Sequence, residues 1–151
     1  MIRLSFLVSA FIFNINNTNA QSPIIEFEQA MAQYKGKVVY LDFWASWCVP
    51  CRQSFPWMNS INKQYQQQGL RVLSVNLDAN ATLATKFLEK NPADFSIIYD
   101  AKGSLAKRFQ LKGMPSSYLF NRQGELISTH IGFNDEKQRQ YQAEIEQALA
   151  N

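Results

Sequence analysis

The stretch Val38-Val-Tyr-Leu-Asp-Phe-Trp44-Ala-Ser-Trp47-Cys48-Val-Pro-Cys51-Arg52 joins a buried strand to a reactive-looking helix start. Val38 to Trp44 is nearly all apolar and rich in β-branched or aromatic residues, the composition of a strand buried on both faces of a sheet, and it is expected to be central. From Cys48 to about Gln68 the pattern turns helical and closes at Gly69. Pro56 inside this helix is expected to remove one backbone hydrogen bond and to kink it. The two cysteines therefore stand at a helix N-terminus, where unpaired N–H groups and the helix dipole favour a thiolate.

A thiolate is the attacking species in disulfide exchange, so position alone assigns roles: Cys48 attacks, and Cys51, on the next turn, resolves the mixed disulfide. A purely structural bridge is the competing reading. Closing a loop of about four residues contributes little to holding a fold in the chain-entropy model, so the value of the pair is chemical. A zinc site normally needs four ligands, and the chain has two cysteines and one histidine, His130. A copper site of the two cysteines plus His130 is set aside, because His130 reads as an ordinary, partly exposed side chain in a hairpin strand. No metal is expected, and no cofactor beyond the Cys48–Cys51 couple itself.

Working outward, Phe27, Ala30, Met31 and Tyr34 recur at helical spacing after Ser22-Pro23, and Gly36 provides a stop. Leu70 to Leu77 alternates as a strand. Asn80 then caps a helix carrying Leu83, Ala84, Phe87 and Leu88, which ends at Asn91-Pro92. Phe95 to Tyr99 reads as another strand and Leu105 to Phe109 as a short helix. Ser117 to Phe120 and Glu125 to Ile131 flank Asn121-Arg-Gln-Gly124 as an antiparallel hairpin. Tyr141, Ile145, Ala148 and Leu149 form one face of a last helix. The fold class is α/β, a central mixed sheet flanked by helices with a C-terminal hairpin and helix.

The 151 residues, 46% hydrophobic and 13% aromatic, suit one compact domain with a real core. Residues 1–20 stand apart: a basic start ending at Arg3, an apolar run from Leu4 to Phe13, and Thr18-Asn-Ala20 as a cleavage site read as a signal peptide, leaving a domain over 21–151. The alternative is an uncleaved membrane anchor through residues 4–15. Export to the periplasm or cell envelope is expected either way. The net charge of +3 loses only Arg3 on cleavage, and the charges are scattered with no basic block beyond Lys107-Arg108, so nothing argues for nucleic acid.

The segment Asp42-Phe-Trp-Ala-Ser-Trp-Cys-Val-Pro-Cys-Arg52 resembles the thioredoxin signature, and its continuation through Phe55-Pro56 resembles the exported TlpA/ResA-like branch of that superfamily. Gly113-Met-Pro115 looks like the superfamily's cis-proline loop, and with Val75-Asn-Leu-Asp78 and Asn121-Arg-Gln-Gly124 the resemblance covers roughly residues 24 to 150. It implies a thioredoxin fold with a cis Met114–Pro115 bond against the cysteines, and Met114 offering its backbone to an extended substrate. It also implies a membrane electron donor of the DsbD/CcdA type and, in some relatives, a task in cytochrome maturation. Oligomerisation is not implied; a monomer is expected.

Asp42 is out of place in an apolar strand, since burying a carboxylate without partners is costly. Either it is hydrogen-bonded and faces a loop, or it is a buried acid with a raised pKa that takes the proton of Cys51 during resolution, as the acid at the matching place in thioredoxin implies. Two neighbours depart from the pattern: ResA-like proteins often carry Glu where this chain has Ser54, and thioredoxins often carry Lys where it has Ser74. Trp44 reads as core and Trp47 as surface, one shielding the site and the other offering an apolar docking face. Pro50, in the dipeptide Val49-Pro50, lacks an N–H and stiffens the motif, and by resemblance to Cys-x-Pro-Cys reductases leans toward reduction. The expected activity is thus reduction of disulfides in exported proteins. The alternatives are a disulfide oxidase or isomerase, or a binding module around Trp47 and Met114 that uses the cysteines as a redox switch.

Overall fold

The computed structural model describes residues 21–151, so the expected leader and the anchor alternative at residues 4–15 lie outside the described residues. Helix α1 (Pro23–Gln33) leads into β1 (Val38–Trp44), then α2 (Val49–Tyr65), β2 (Leu70–Asn76), α3 (Ala81–Lys90), β3 (Ser96–Tyr99) and α4 (Ser104–Arg108). The hairpin β4 (Ser116–Phe120) and β5 (Leu126–Ile131) and helix α5 (Asp135–Ala150) complete the chain. The strands lie in the order β3-β2-β1-β4-β5, with β2 parallel to β1 and β4 antiparallel to it. The central strand is the one with the most continuous apolar run, as its composition requires: all seven residues of β1 are buried.

Alternation along β1 divides the core into two layers. Tyr40 and Trp44 face α2, α3 and α5, where Phe55, Met58, Phe87 and Ile145 pack with them. Val39, Leu41 and Phe43 face the opposite layer with Phe27 of α1 and Leu105 of α4. Trp44, Phe55 and Phe87 form a triangle of rings with centroids 4.8 to 5.1 Å apart, within the range of favourable aromatic pairs. That triangle fixes the end of β1 against α2, one turn from the cysteines.

Local differences from the sequence expectation have local causes. The helix begun at Cys48 runs through Pro56 and ends at Tyr65, and Gln66–Gln68 tightens into a 3-10 turn before Gly69, whose φ of +102° lets the chain reverse. Alternation in β2 does not mark a solvent face, because Ser74 and Asn76 are buried and only Arg71 is partly exposed. Ser74 instead accepts a hydrogen bond from the Trp44 indole at 3.1 Å. Leu83, grouped with the apolar face of α3, is exposed, and the helix buries Ala84 and Phe87. Asp100 caps α4 with both carboxylate oxygens, accepting from the N–H groups of Ser104, Leu105 and Ala106 at 2.8 to 3.1 Å.

Arg122, in the β4–β5 turn, is the tie between elements that the sequence did not single out. Its guanidinium donates to the carbonyls of Gly36, Gln68 and Leu149 at 3.3, 3.1 and 2.9 Å, joining the entry to β1, the exit from α2 and the end of α5. Hydrogen bonds from a charged donor contribute more than neutral ones, so Arg122→Ala is expected to lower stability by about 2 kcal/mol. Urea unfolding of the two proteins measures this; a loss below about 0.5 kcal/mol would show that water replaces the three contacts.

Candidate active site

The turn between β1 and α2 is clamped from β2. Asp78, buried just past the end of β2, accepts from the Ser46 backbone N–H at 3.0 Å and from the Ser46 hydroxyl at 2.8 Å. The Asn76 amide donates to the same carboxylate at 2.8 Å, and the Asp78 N–H returns a bond to Asn76 Oδ1. Leu77 N–H donates to the Trp44 carbonyl at 2.9 Å, and Cys48 N–H to that of Ala45 at 3.1 Å. These bonds hold Ala45 to Trp47 in one conformation and so aim Cys48. Ser46, Asn76 and Asp78 were missed as site residues. Their signal was an Asn-x-Asp spacing at a strand end, noted only as part of a resemblance.

Cys48 is the N-cap residue of α2, and its sulfur is bonded to Cys51 at 2.01 Å. The backbone N–H of Cys51 points at the Cys48 sulfur, 3.3 Å away, so a first-turn amide serves the sulfur directly. Cys48 retains 5% exposure and Cys51 none. An apolar groove of about 690 Å³ runs past Trp47, Cys48, Val49, Pro50, Leu111 and Met114 and does not include Cys51. Trp47 and Val49 stand exposed on its rim, while Trp44 is wholly buried beneath. The Met114–Pro115 bond is cis, and Pro115 is buried with its carbonyl accepting from Gly132 N–H at 2.8 Å.

Asp42 lies in the middle of β1, with Ser74 of β2 and Ser117 of β4 as its register partners. It is 1% exposed, and its Oδ2 has no hydrogen-bond partner. Burial pushes its carboxyl well above the ordinary carboxylate range. Of the two arrangements considered for it, a bonded carboxylate facing a loop is not the one found. Ser54 is buried and donates to the Cys51 carbonyl at 2.9 Å, and Ser74 serves the Trp44 indole, so neither position adds a titratable group near the pair. His130 corrects the sequence reading: it is buried at 6% exposure rather than partly exposed, because Ser117 and Glu144 satisfy both ring nitrogens at 3.1 and 2.7 Å.

A five-stranded mixed sheet that presents a Cys-x-x-Cys disulfide at a helix N-terminus, beside a cis-proline loop, is a thioredoxin fold with its redox pair in place. Residues 18–149 match the Redoxin family, and the chain belongs to it. It is 33% identical over 111 residues to sporulation thiol-disulfide oxidoreductase A of Bacillus subtilis, covering 72% of this chain and 67% of that one. It is 31% identical over 99 residues to thiol-disulfide oxidoreductase ResA of Geobacillus kaustophilus, covering 66% of this chain but only 57% of the relative. Among solved structures, one described as a thiol:disulfide interchange protein DsbE from Chlorobium tepidum is 45% identical, with a TM-score of 0.77 over 79% of this chain and 84% of that one.

The raised pKa of Asp42 makes stability depend on pH. A carboxyl whose folded pKa lies above its unfolded value of about 3.9 favours folding fully below that value, and the advantage is lost as pH rises through the folded pKa. Denaturant midpoints of the wild type are therefore expected to fall as pH rises from about 4 toward neutrality, and Asp42→Asn to remove that part of the slope. Parallel slopes in the two proteins would mean that Asp42 is not the buried acid described.

Proposed function

We propose that this protein is a thiol–disulfide oxidoreductase that reduces disulfides of exported proteins in the periplasm or cell envelope, with Cys48 attacking and Cys51 resolving. The observation that carries the reading is the asymmetry of the pair: Cys48 opens on an apolar groove at a helix N-cap, and Cys51 lies wholly buried behind it. The relatives' names, all thiol-disulfide oxidoreductases or interchange proteins, support the same chemistry.

The Cys48 thiolate attacks one sulfur of a substrate disulfide, the S–S bond breaks, and one substrate thiolate leaves. Cys51 gives its proton to the Asp42 carboxylate, and the resulting thiolate attacks the Cys48 sulfur, expelling the second substrate thiolate. Two electrons have passed from the dithiol to the substrate, and the Cys48–Cys51 disulfide is restored. An external dithiol must re-reduce it, for which a membrane donor of the DsbD/CcdA type is the candidate. The groove suits an extended, partly apolar segment laid between Trp47 and the backbone of Met114, beside Pro115, with Val49-Pro50 stiffening the lining next to Cys48. Residues 1–20 serve as the export signal, cleaved to leave residues 21–151, and the domain acts as a monomer. The reduced haem-attachment cysteines of a cytochrome are one substrate this chemistry would maintain.

Reduction of insulin disulfides by dithiothreitol measures the activity. The wild type is expected to accelerate it, Cys48→Ser to abolish the acceleration, and Cys51→Ser to accumulate a mixed disulfide through Cys48. Asp42→Ala is expected to slow turnover by about 10²-fold or more and to change its pH–rate profile, as loss of a proton acceptor does. A wild type that binds unfolded chains yet exchanges no disulfide would make the groove a binding module instead.

A further inference from the structure

His130 is the single histidine of the chain, and the exchange steps above leave it unused. Its ring is held at both ends. Nε2 lies 2.7 Å from Oε2 of Glu144 on α5, and Nδ1 lies 3.1 Å from Ser117 Oγ on β4. The ring also stacks on Tyr141, with centroids 3.9 Å apart. Ser117 Oγ accepts a further bond from the Tyr40 hydroxyl at 2.8 Å. Ser117 is the register partner of His130 on one side and of Asp42 on the other. Asp42, Ser117 and His130 therefore stand in line across three strands on one face of the sheet, with partners' Cβ atoms about 4.5–5.5 Å apart.

The Ser117 hydroxyl has one proton and meets His130 Nδ1 and the donating Tyr40 hydroxyl, while Asp42, its register partner on the other side, has an Oδ2 that meets no donor. A neutral ring facing the Glu144 carboxylate carries its proton on Nε2 and leaves Nδ1 as an acceptor. Ser117 then donates to His130, and Asp42 goes without. A doubly protonated ring donates from Nδ1 to Ser117 Oγ, which frees the Ser117 proton to turn toward Asp42. The ring's positive charge and the freed hydroxyl both favour the Asp42 carboxylate.

We propose that His130 is a positioning residue for disulfide exchange, setting through Ser117 how readily Asp42 is held as the carboxylate that accepts the proton of Cys51. The inference rests on the role given to Asp42 above. Glu144 and Tyr141 of α5 and Ser117 of β4 meet the ring; behind them stand Tyr40 of β1, bonded to Ser117, Asp42 of β1, the register partner of Ser117, and Ser128 of β5, which serves Glu144. Burial tends to raise the Glu144 carboxyl, but hydrogen bonds from Ser128, His130 and Gln140 and the His130 charge outweigh it and hold Glu144 below the ordinary glutamate range. Glu144 is thus the anionic anchor of the ring. Tyr40 and Tyr141 are raised by burial first and by neighbouring carboxylates, Asp42 among them, so both stay protonated.

The test is His130→Gln, whose amide can still bond Ser117 or Glu144 but cannot take up a proton. Carbon NMR of the Asp42 carboxyl in the reduced full chain reads the coupling, and the pH–rate profile of insulin reduction reads its consequence. In the wild type the Asp42 resonance is expected to titrate at a lower pH than in His130→Gln. In His130→Gln the Asp42 titration and the acid limb of the rate profile both move up by about one pH unit, a tenfold loss of rate on that limb. Ser117→Ala, which leaves the His130–Glu144 pair in place, gives the same shift and serves as the readout if His130→Gln does not fold. An Asp42 titration unchanged in both variants overturns the proposal, even with a fully active wild type. A wild type that reduces no disulfide while the Asp42 titration still moves in both variants overturns the proposed function and leaves the coupling standing.

Discussion

Pairing of β1 on both edges, with helices covering both its faces, is the constraint on which the rest depends. A strand held on four sides has one direction in which to leave the sheet, and the point of exit is where the reactive turn begins. The Asp78 clamp and the Trp44–Phe55–Phe87 triangle then remove the remaining freedom, one from the polar side of the turn and one from beneath. Cys48 is delivered to the N-cap of α2, where an amide meets its sulfur, with no requirement for a charged side chain to activate it. The same geometry buries Cys51 one turn further along, so the difference between attacking and resolving sulfur is a property of the backbone path.

The sheet carries one polar line through an otherwise apolar layer: Ser74, Asp42, Ser117 and His130, one residue from each of four adjacent strands. Three of the four are satisfied by hydrogen bonds, to the Trp44 indole, the Tyr40 hydroxyl and the Glu144 carboxylate. The fourth, Asp42, is left with an unpartnered oxygen, an arrangement that costs stability whenever the group is charged. A carboxyl kept in that state is poised to take a proton, and the neighbours that could relieve it are already engaged with one another. The strain is thus local to one group, while the surrounding network is closed.

How legible this was in the sequence varied with the range of the interaction. β1, the helix start at Cys48 and the hairpin ending at Ile131 followed from composition, spacing and turn residues, because those signals are local. The burial of Ser74, Asn76 and His130 did not, since a polar residue on a strand gives no sign of which partner will satisfy it across the sheet. Arg122 was equally silent: its three carbonyl partners come from three separate parts of the chain. For Asp42 the sequence showed the anomaly but not its resolution, which required seeing that Oδ2 meets nothing. The cis bond before Pro115 was expected from resemblance alone, and the groove lining could only be seen in three dimensions.

The most direct measurement of the central claim is the reduction potential of the Cys48/Cys51 couple, set in dithiothreitol or glutathione buffers and read by fluorescence of the tryptophans at the site. A value near that of thioredoxin, roughly −270 mV, is the result this account predicts, and it makes the couple a donor of electrons to most protein disulfides. A value nearer −120 mV would contradict it, since the couple would then give disulfides away instead of removing them.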